Sequence, residues 1–197
     1  MNGRWLAWVV VAAAAVVGGA MLAAGDAPPD PLEIVEEWVA ARNRGDIAAA
    51  MSMIADDGYV LGTPMWVASR RDVLEETFRA QVAAGWQMAD FDCAVDDLVV
   101  TCRYVQDDRI LRSLGLSLTG THTYIVRAGR IGNVDRIHDE ASRDAAYGAL
   151  EALRTWIAAN HPSLEPVIWA SRSAVTYTTI AGAEAMLGVL DQYLSDR

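Results

Sequence analysis

Residues 121–140 read THTYIVRAGRIGNVDRIHDE, two alternating apolar and polar runs on either side of Ala128-Gly129. Such a pattern predicts two antiparallel strands about a tight turn. Paired evenly across that turn, His122 faces Asp135, with Tyr124 and Asn133 beside them. A carboxylate in apolar surroundings has its pKa raised, and an adjacent imidazole can orient it or carry its proton. His122 and Asp135 are therefore the candidate acid–base pair. The simpler alternative is a cross-strand hydrogen bond in which each residue satisfies the other.

The face carrying His122 and Asp135 also carries Tyr124, Val126, Ile131, Asn133 and Ile137. The opposite face, with Thr121, Thr123, Arg136 and His138, is more polar, so the first face is expected to point inwards. The preceding strand would send Leu98, Val100, Cys102 and Tyr104 the same way, with Trp38 approaching from a helix. Trp38, Tyr104, Tyr124 and Asn133 are thus the expected lining of a half-apolar ligand pocket.

Cys93 and Cys102 fall on neighbouring predicted strands. If the hairpin loop spans Asp96 to Val99 the two lie directly opposite and can bridge. If the loop is Asp96-Asp97 alone, Cys93 faces Val100 and two free thiols result. An even cysteine count suits a disulfide only in an oxidising compartment. No spacing of His122, His138 or His161 with the cysteines makes a metal site. No phosphate loop, dinucleotide fingerprint or nucleophile elbow occurs, so no cofactor is expected.

The elements that must position these residues begin after an unusual N-terminus. One positive residue, Arg4, precedes 21 apolar residues from Trp5 to Gly25, and Asp26 and Asp30 follow. About 20 apolar residues in helix span a bilayer, and the flanking charge places the N-terminus inside and the rest outside. Residues 1–25 are read as a membrane anchor or a signal peptide cleaved near Ala23-Ala24-Gly25, and 26–31 as a proline-stiffened spacer. The domain is expected outside the cytoplasm, attached to the membrane, or secreted if the segment is cleaved. A net charge of -10 with no lysine argues against nucleic acid as partner.

Helical spacing follows in DPLEIVEEWVAARN, in DIAAAMSMI (Ile47, Met51, Ile54) and in SRRDVLEETFRAQVAAG, where Ser69 is placed to cap and Val73, Leu74, Phe78 and Val82 share a face. The period then changes to two over QMADFDCAV and LVVTCRYVQ, with Asp96-Asp97 as their turn. DRILRSLGLS is a connection, and further helices follow after His138. Helices first and a bent sheet after them give an α+β fold.

WVAARNRGDIAAAMSMIADDGYV and GTHTYIVRAGRI together resemble the SnoaL-like branch of the nuclear transport factor 2-like superfamily. The resemblance covers about 32–140, with 141–197 as a helical extension packed on it. It implies a cone-shaped α+β barrel, a curved antiparallel or mixed sheet wrapped on N-terminal helices. It also implies small apolar ligands, acid–base chemistry of isomerase, cyclase or hydrolase type, or a homodimer built on the outer sheet face. Alignment with ketosteroid isomerases places Trp38 at the oxyanion tyrosine, His122 near the oxyanion aspartate and Gly62 at the proton-moving aspartate. A glycine cannot move a proton, so that chemistry is disfavoured. The Arg–Asp arrangement of limonene epoxide hydrolases has no counterpart, since Arg103 alternates outwards. The leading expectation is a binding domain without chemistry.

Overall fold

The computed structural model describes residues 29–62, 66–68, 71–169 and 179–197. The N-terminal run read as anchor or signal peptide, and Ser69 as a helix cap, lie outside the described residues. Among the described residues no helix is long and apolar enough to cross a membrane.

The first helix, α1 (Pro31–Asn43), starts where the sequence signals it: the Asp30 side chain accepts from Leu32 N–H at 2.9 Å, with Pro31 at the first helical position. It buries Ile34, Val35, Trp38, Val39 and Ala41 along one face. Gly45, at positive φ, turns the chain into α2 (Ile47–Ser52), capped by Asp46. Ile54, expected to extend that helix, instead opens β1 (Ile54–Gly62). After β2 (Trp66–Ala68) comes α3 (Arg71–Ala83), which buries Leu74 and Phe78 but leaves Val73 and Val82 exposed.

Four long strands follow: β3 (Gln87–Asp96), β4 (Val99–Asp107), β5 (Leu118–Arg127) and β6 (Arg130–His138). The sheet runs β2-β1-β6-β5-β4-β3, with β1 parallel to β6 and every other pair antiparallel. The connection DRILRSLGLS contains a short helix, α4 (Arg109–Ser113), capped by Asp108. The architecture is α+β, a curved sheet closed over α1, α2 and α3.

Two apolar clusters divide the interior. The first fills the cone between sheet and N-terminal helices, around Trp38, Phe78, Trp86, Val100, Tyr124 and Val134. The second is built by α5 (Glu140–Asn160), α6 (Glu165–Ile168) and α7 (Ile180–Ser195) against α3, α4 and the start of β5. Residues of the C-terminal extension therefore bury their own apolar face on the cone rather than standing apart from it.

Two irregularities set which side chains enter the cone. In the β5–β6 hairpin, Ala128 and Gly129 both have positive φ, as a two-residue hairpin turn requires, and Val126 pairs with Ile131. Beyond that pair β6 carries one extra residue, Gly132, so that Ile125 pairs with Asn133 and His122 with Arg136. A bulge of this kind inverts every later side chain of its strand. In the β3–β4 hairpin the turn is Asp97-Leu98, and Leu98 is exposed rather than inward. A bulge at Asp92, with φ 49°, lies between the pairs Phe91–Arg103 and Ala94–Thr101. It brings Cys93 opposite Cys102, and the two form a disulfide with Cα atoms 4.1 Å apart.

Candidate functional site

The expected His122–Asp135 pair does not exist. His122 is fully buried on the inner face of β5, but the Gly132 bulge turns Asp135 to the outer face, where it is exposed and pairs with Thr123. Asn133 goes to the outer face with it, opposite Ile125, and Ile137 is 58% exposed. Val134, Arg136 and His138 take their places inside.

His122 finds its carboxylate on the edge strand instead. Asp90, whose side chain is 7% exposed, lies with Oδ1 3.0 Å from His122 Nδ1. Tyr124 Oη donates to Asp90 Oδ2 and lies 2.9 Å from the same imidazole nitrogen. On the other side of the ring, Arg136 donates from Nε to His122 Nε2 across 2.8 Å. A guanidinium can only donate, so Nε2 accepts, and the ring proton sits on Nδ1, where it is given to Asp90. His122 is therefore neutral. Burial agrees with this, pulling its pKa down to about 4 against the raising effect of Asp90, with Arg136 pulling further down.

Asp90 is aimed by its neighbours along β3. Asn43 of α1 bonds both the N–H and the C=O of Met88, at 2.9 and 2.6 Å, which pins the start of the strand. The disulfide pins the strand beyond the bulge. Between these two fixed points Met88 and Asp90 share the inner face.

The remaining expected pocket residues are core. Trp38 is fully buried, edge-on to Phe78 and Tyr124 with ring centroids 6.0 and 5.9 Å away. The Arg42 guanidinium, also buried, lies over the rings of Trp86, Phe78 and Trp38 at 3.9, 4.1 and 4.7 Å and donates to Gln81 at 2.5 Å. Burial lowers its pKa to about 9, with Arg136 adding to the fall, which still leaves it charged at neutral pH. Cation–π contact with three rings takes the place of water around that charge.

Tyr104 occupies a different position. Its ring stacks on His122, centroids 4.0 Å apart and 9° between planes, and its hydroxyl bonds His138 Nδ1. Tyr104, Gly120 and His138 form one row across β4, β5 and β6. Gly120 is what lets the outer two meet: a Cβ there would lie 2.0 Å from the Ile137 carbonyl oxygen. His138 is half-buried where β6 ends and α5 begins, beside Asp139, whose carboxylate is held by Arg103 at 2.7 Å and Thr119 at 2.7 Å.

A hydrogen-bonded chain thus runs from Asp90 through His122 to Arg136 on the inner face, and His138 lies half-buried where β6 ends. Asp90, Arg136 and His138 were not singled out from sequence. The signal for the last two was Gly132, an isolated glycine within a strand pattern, which often marks a bulge. For Asp90 it was the alternation with Met88.

The fold is shared with solved structures. The enzyme SalBIII, described as epoxide hydrolase/cyclase-like in pyran ring formation in polyether salinomycin, superposes with a TM-score of 0.51 at 17% identity, over 57% of this chain and 92% of that one. The fold is nuclear transport factor 2-like. A nuclear transport factor 2-like protein from Cytophaga hutchinsonii superposes at 0.49 with 14% identity, over 59% of this chain and 96% of that one. A cystatin-fold protein from Novosphingobium aromaticivorans does so at 0.48 with 16% identity, over 55% and 98%. No family model matches the sequence, and no curated protein does. The nuclear transport factor 2-like fold hosts many activities, so function has to be argued from the site.

Proposed function

We propose that the chain is a small-molecule-binding domain held at the outer face of a membrane by its N-terminal segment, and that His122 performs no acid–base chemistry. One observation carries this reading. Both nitrogens of His122 are engaged, its ring is sandwiched against Tyr104, and none of it is exposed. A group that moves a proton to or from a ligand must come within hydrogen-bond reach of it. His122 instead acts as a strut that positions Arg136.

Native mass spectrometry of the full chain, extracted in mild detergent from the producing cells, tests the binding. The expected result is a discrete mass excess released on unfolding; preparations that carry none from any growth condition contradict the proposal. Fractionation tests the address. The chain is expected in the membrane fraction and open to protease from outside, whereas a mature protein starting near residue 25 would indicate cleavage.

A second reading is a module that associates with another copy through the outer sheet face. Phe91 and Ile137 favour it: they lie in one cross-strand row, 46% and 58% exposed. Sedimentation of wild type and of Ile137→Asp decides, a dimer lost in the variant supporting the module and a monomer in both opposing it.

A further inference from the structure

We propose that the cavity beside the β5–β6 turn faces the membrane and takes the headgroup of a zwitterionic phospholipid with a primary ammonium, its phosphate on Arg127 and Arg130 and its ammonium on Asp56 and Asp57. The inference rests on the membrane address proposed above. It adds which end of the domain meets the bilayer and what is held there.

Two irregularities at one place build the cavity. In the β1–β6 pairing Ile54 is opposite Ile131 and Tyr59 opposite Asn133, so residues 55–58 stand against Gly132 alone. The surplus lifts Asp56 and Asp57 out of the ladder, and both are exposed. Gly132 leaves room beside them: an added Cβ there would lie 2.4 Å from Arg127 Nε, so the guanidinium crosses bare backbone. An open cavity of about 530 Å³ results, lined by Ala55, Asp56, Asp57, Arg127, Ala128 and Arg130.

The charges in it are balanced and loosely held. Arg127 pairs with Arg130 across the turn, an unfavourable placement for two like charges. Arg127 reaches Asp57 at 3.5 Å and Arg130 reaches Asp56 at 3.7 Å. Exposed pairs at such separations hold little, so a guest comes between them at small cost. Arg71, 3.9 Å from Asp56, is already bound to the Met51 carbonyl at 2.6 Å. Two lining guanidiniums and two lining carboxylates cancel, which suits a guest that is itself neutral but dipolar. Guanidinium forks match phosphate oxygens, and a primary ammonium gives its N–H donors to carboxylates. A quaternary ammonium has no N–H and is held by aromatic rings instead; none of the described lining residues is aromatic. An anionic lipid gains nothing from a site whose own charges cancel, on a chain of net charge -10.

Position supplies the source of the guest. Pro29 lies against the turn, its Cγ 3.4 Å from an added Cβ at Gly129. Only residues 26–28 separate it from Gly25, the end of the apolar run. That length of chain reaches at most about 14 Å, which keeps the turn near the headgroups at the end of that run.

Two measurements on the full chain test this. Spin labels on Ser52→Cys and Ser113→Cys report depth in nanodiscs of phosphatidylethanolamine and phosphatidylcholine; both native cysteines are in the disulfide. Ser52 is exposed next to Met53, whose carbonyl accepts from Ile131 N–H beside the turn, and Ser113 is exposed on α4, before the opposite end of β5. The Ser52 label is expected at the lipid surface and the Ser113 label in bulk water; any other arrangement overturns the proposal. The second measurement is native mass spectrometry in detergent with equal amounts of palmitoyl-oleoyl phosphatidylethanolamine, phosphatidylcholine and phosphatidylglycerol. Phosphatidylethanolamine is expected to be retained preferentially. Arg127→Gln/Arg130→Gln and Asp56→Asn/Asp57→Asn are each expected to cut that retention about tenfold. Any other order of preference, unchanged retention in either variant, or displacement of the lipid by an equal concentration of free O-phosphoethanolamine overturns the headgroup site. A chain found outside the membrane fraction means that the address fails and this proposal with it, whereas a membrane-held chain with no headgroup preference overturns this proposal alone.

Discussion

Arg136 and His122 sit directly across from each other on β6 and β5, joined by a 2.8 Å hydrogen bond from guanidinium Nε to imidazole Nε2. That one bond makes His122 an acceptor on one side and a donor to Asp90 on the other. Removing the carboxylate leaves the His122 Nδ1–H the Tyr124 oxygen, 2.9 Å away, and strands the Tyr124 hydroxyl proton. An orphaned buried donor costs about 1–3 kcal/mol. Asp90→Ala is therefore expected to lower the unfolding free energy by an amount of that order, read from urea denaturation. Asp135→Ala, on the outer face, is expected to stay within about 0.5 kcal/mol of wild type. The reverse ranking would mean that β6 runs without its bulge.

The depressed pKa of His122 makes stability depend on pH in a definite direction. The unfolded chain binds a proton at an ordinary value of about 6.5, the folded one only at about 4. Between those values the unfolded state holds more protons, so stability is greatest above pH 6.5 and falls as pH drops towards 4. Over the whole window the loss from His122 is about 3 kcal/mol. His138 acts in the same direction, less strongly because it is half exposed. Urea titrations at pH 7.5, 6 and 5 check this, and His122→Gln is expected to flatten the profile. Stability that rises as pH falls from 6.5 to 5 would show a charged His122.

Gly120 predicts a sharp intolerance. Its added Cβ would lie 2.0 Å from a backbone oxygen of β6, which cannot swing aside as a side-chain tip can. Gly120→Ala is expected to cost about 3 kcal/mol. The strands must part, and the Tyr104–His138 bond is lost with them. Gly148→Ala on α5, where an added Cβ meets nothing within 4 Å, is the matched control and is expected to be neutral or slightly stabilising. Thermal unfolding of the two variants side by side is sufficient.

The disulfide closes a loop of nine residues' separation between β3 and β4. Loop-closure entropy for a ring of that size gives about 2–3 kcal/mol. The expected loss in Cys93→Ala/Cys102→Ala is of that order by urea denaturation. Because the bridge holds the end of β3 next to the Asp92 bulge, the variant is also expected to loosen Asp90. The His122 imidazole resonances would then broaden, while Trp38, across the core, would not change.

The alternation of period two placed His122, Tyr124, Val100, Cys102 and Tyr104 inside, and helical spacing placed Trp38 and the first helix correctly. These positions depend on local period and local caps, which a sequence displays directly. Even pairing from Ala128-Gly129 puts Asp135, Asn133 and Ile137 on the inner face, and that count fails at Gly132. One extra residue changes nothing in composition yet inverts the whole strand after it. Asp90 is hidden from the sequence for a related reason: its partner comes from two strands away, and the register that aims it depends on a second bulge and on Asn43 in the first helix. Trp38 was expected to line a pocket, but the stack with Arg42 and Phe78 is a tertiary contact that no spacing within one helix reveals.

Whether a molecule is bound, and whether it reaches His122, is settled most directly by a high-resolution structure of the full chain purified from its own cells without added ligand. The predicted result is non-protein density on the domain, with His122 still bonded to Arg136 and Asp90. Density in contact with His122 after displacing Arg136, or no bound molecule and the outer sheet face buried against a second copy, would contradict it.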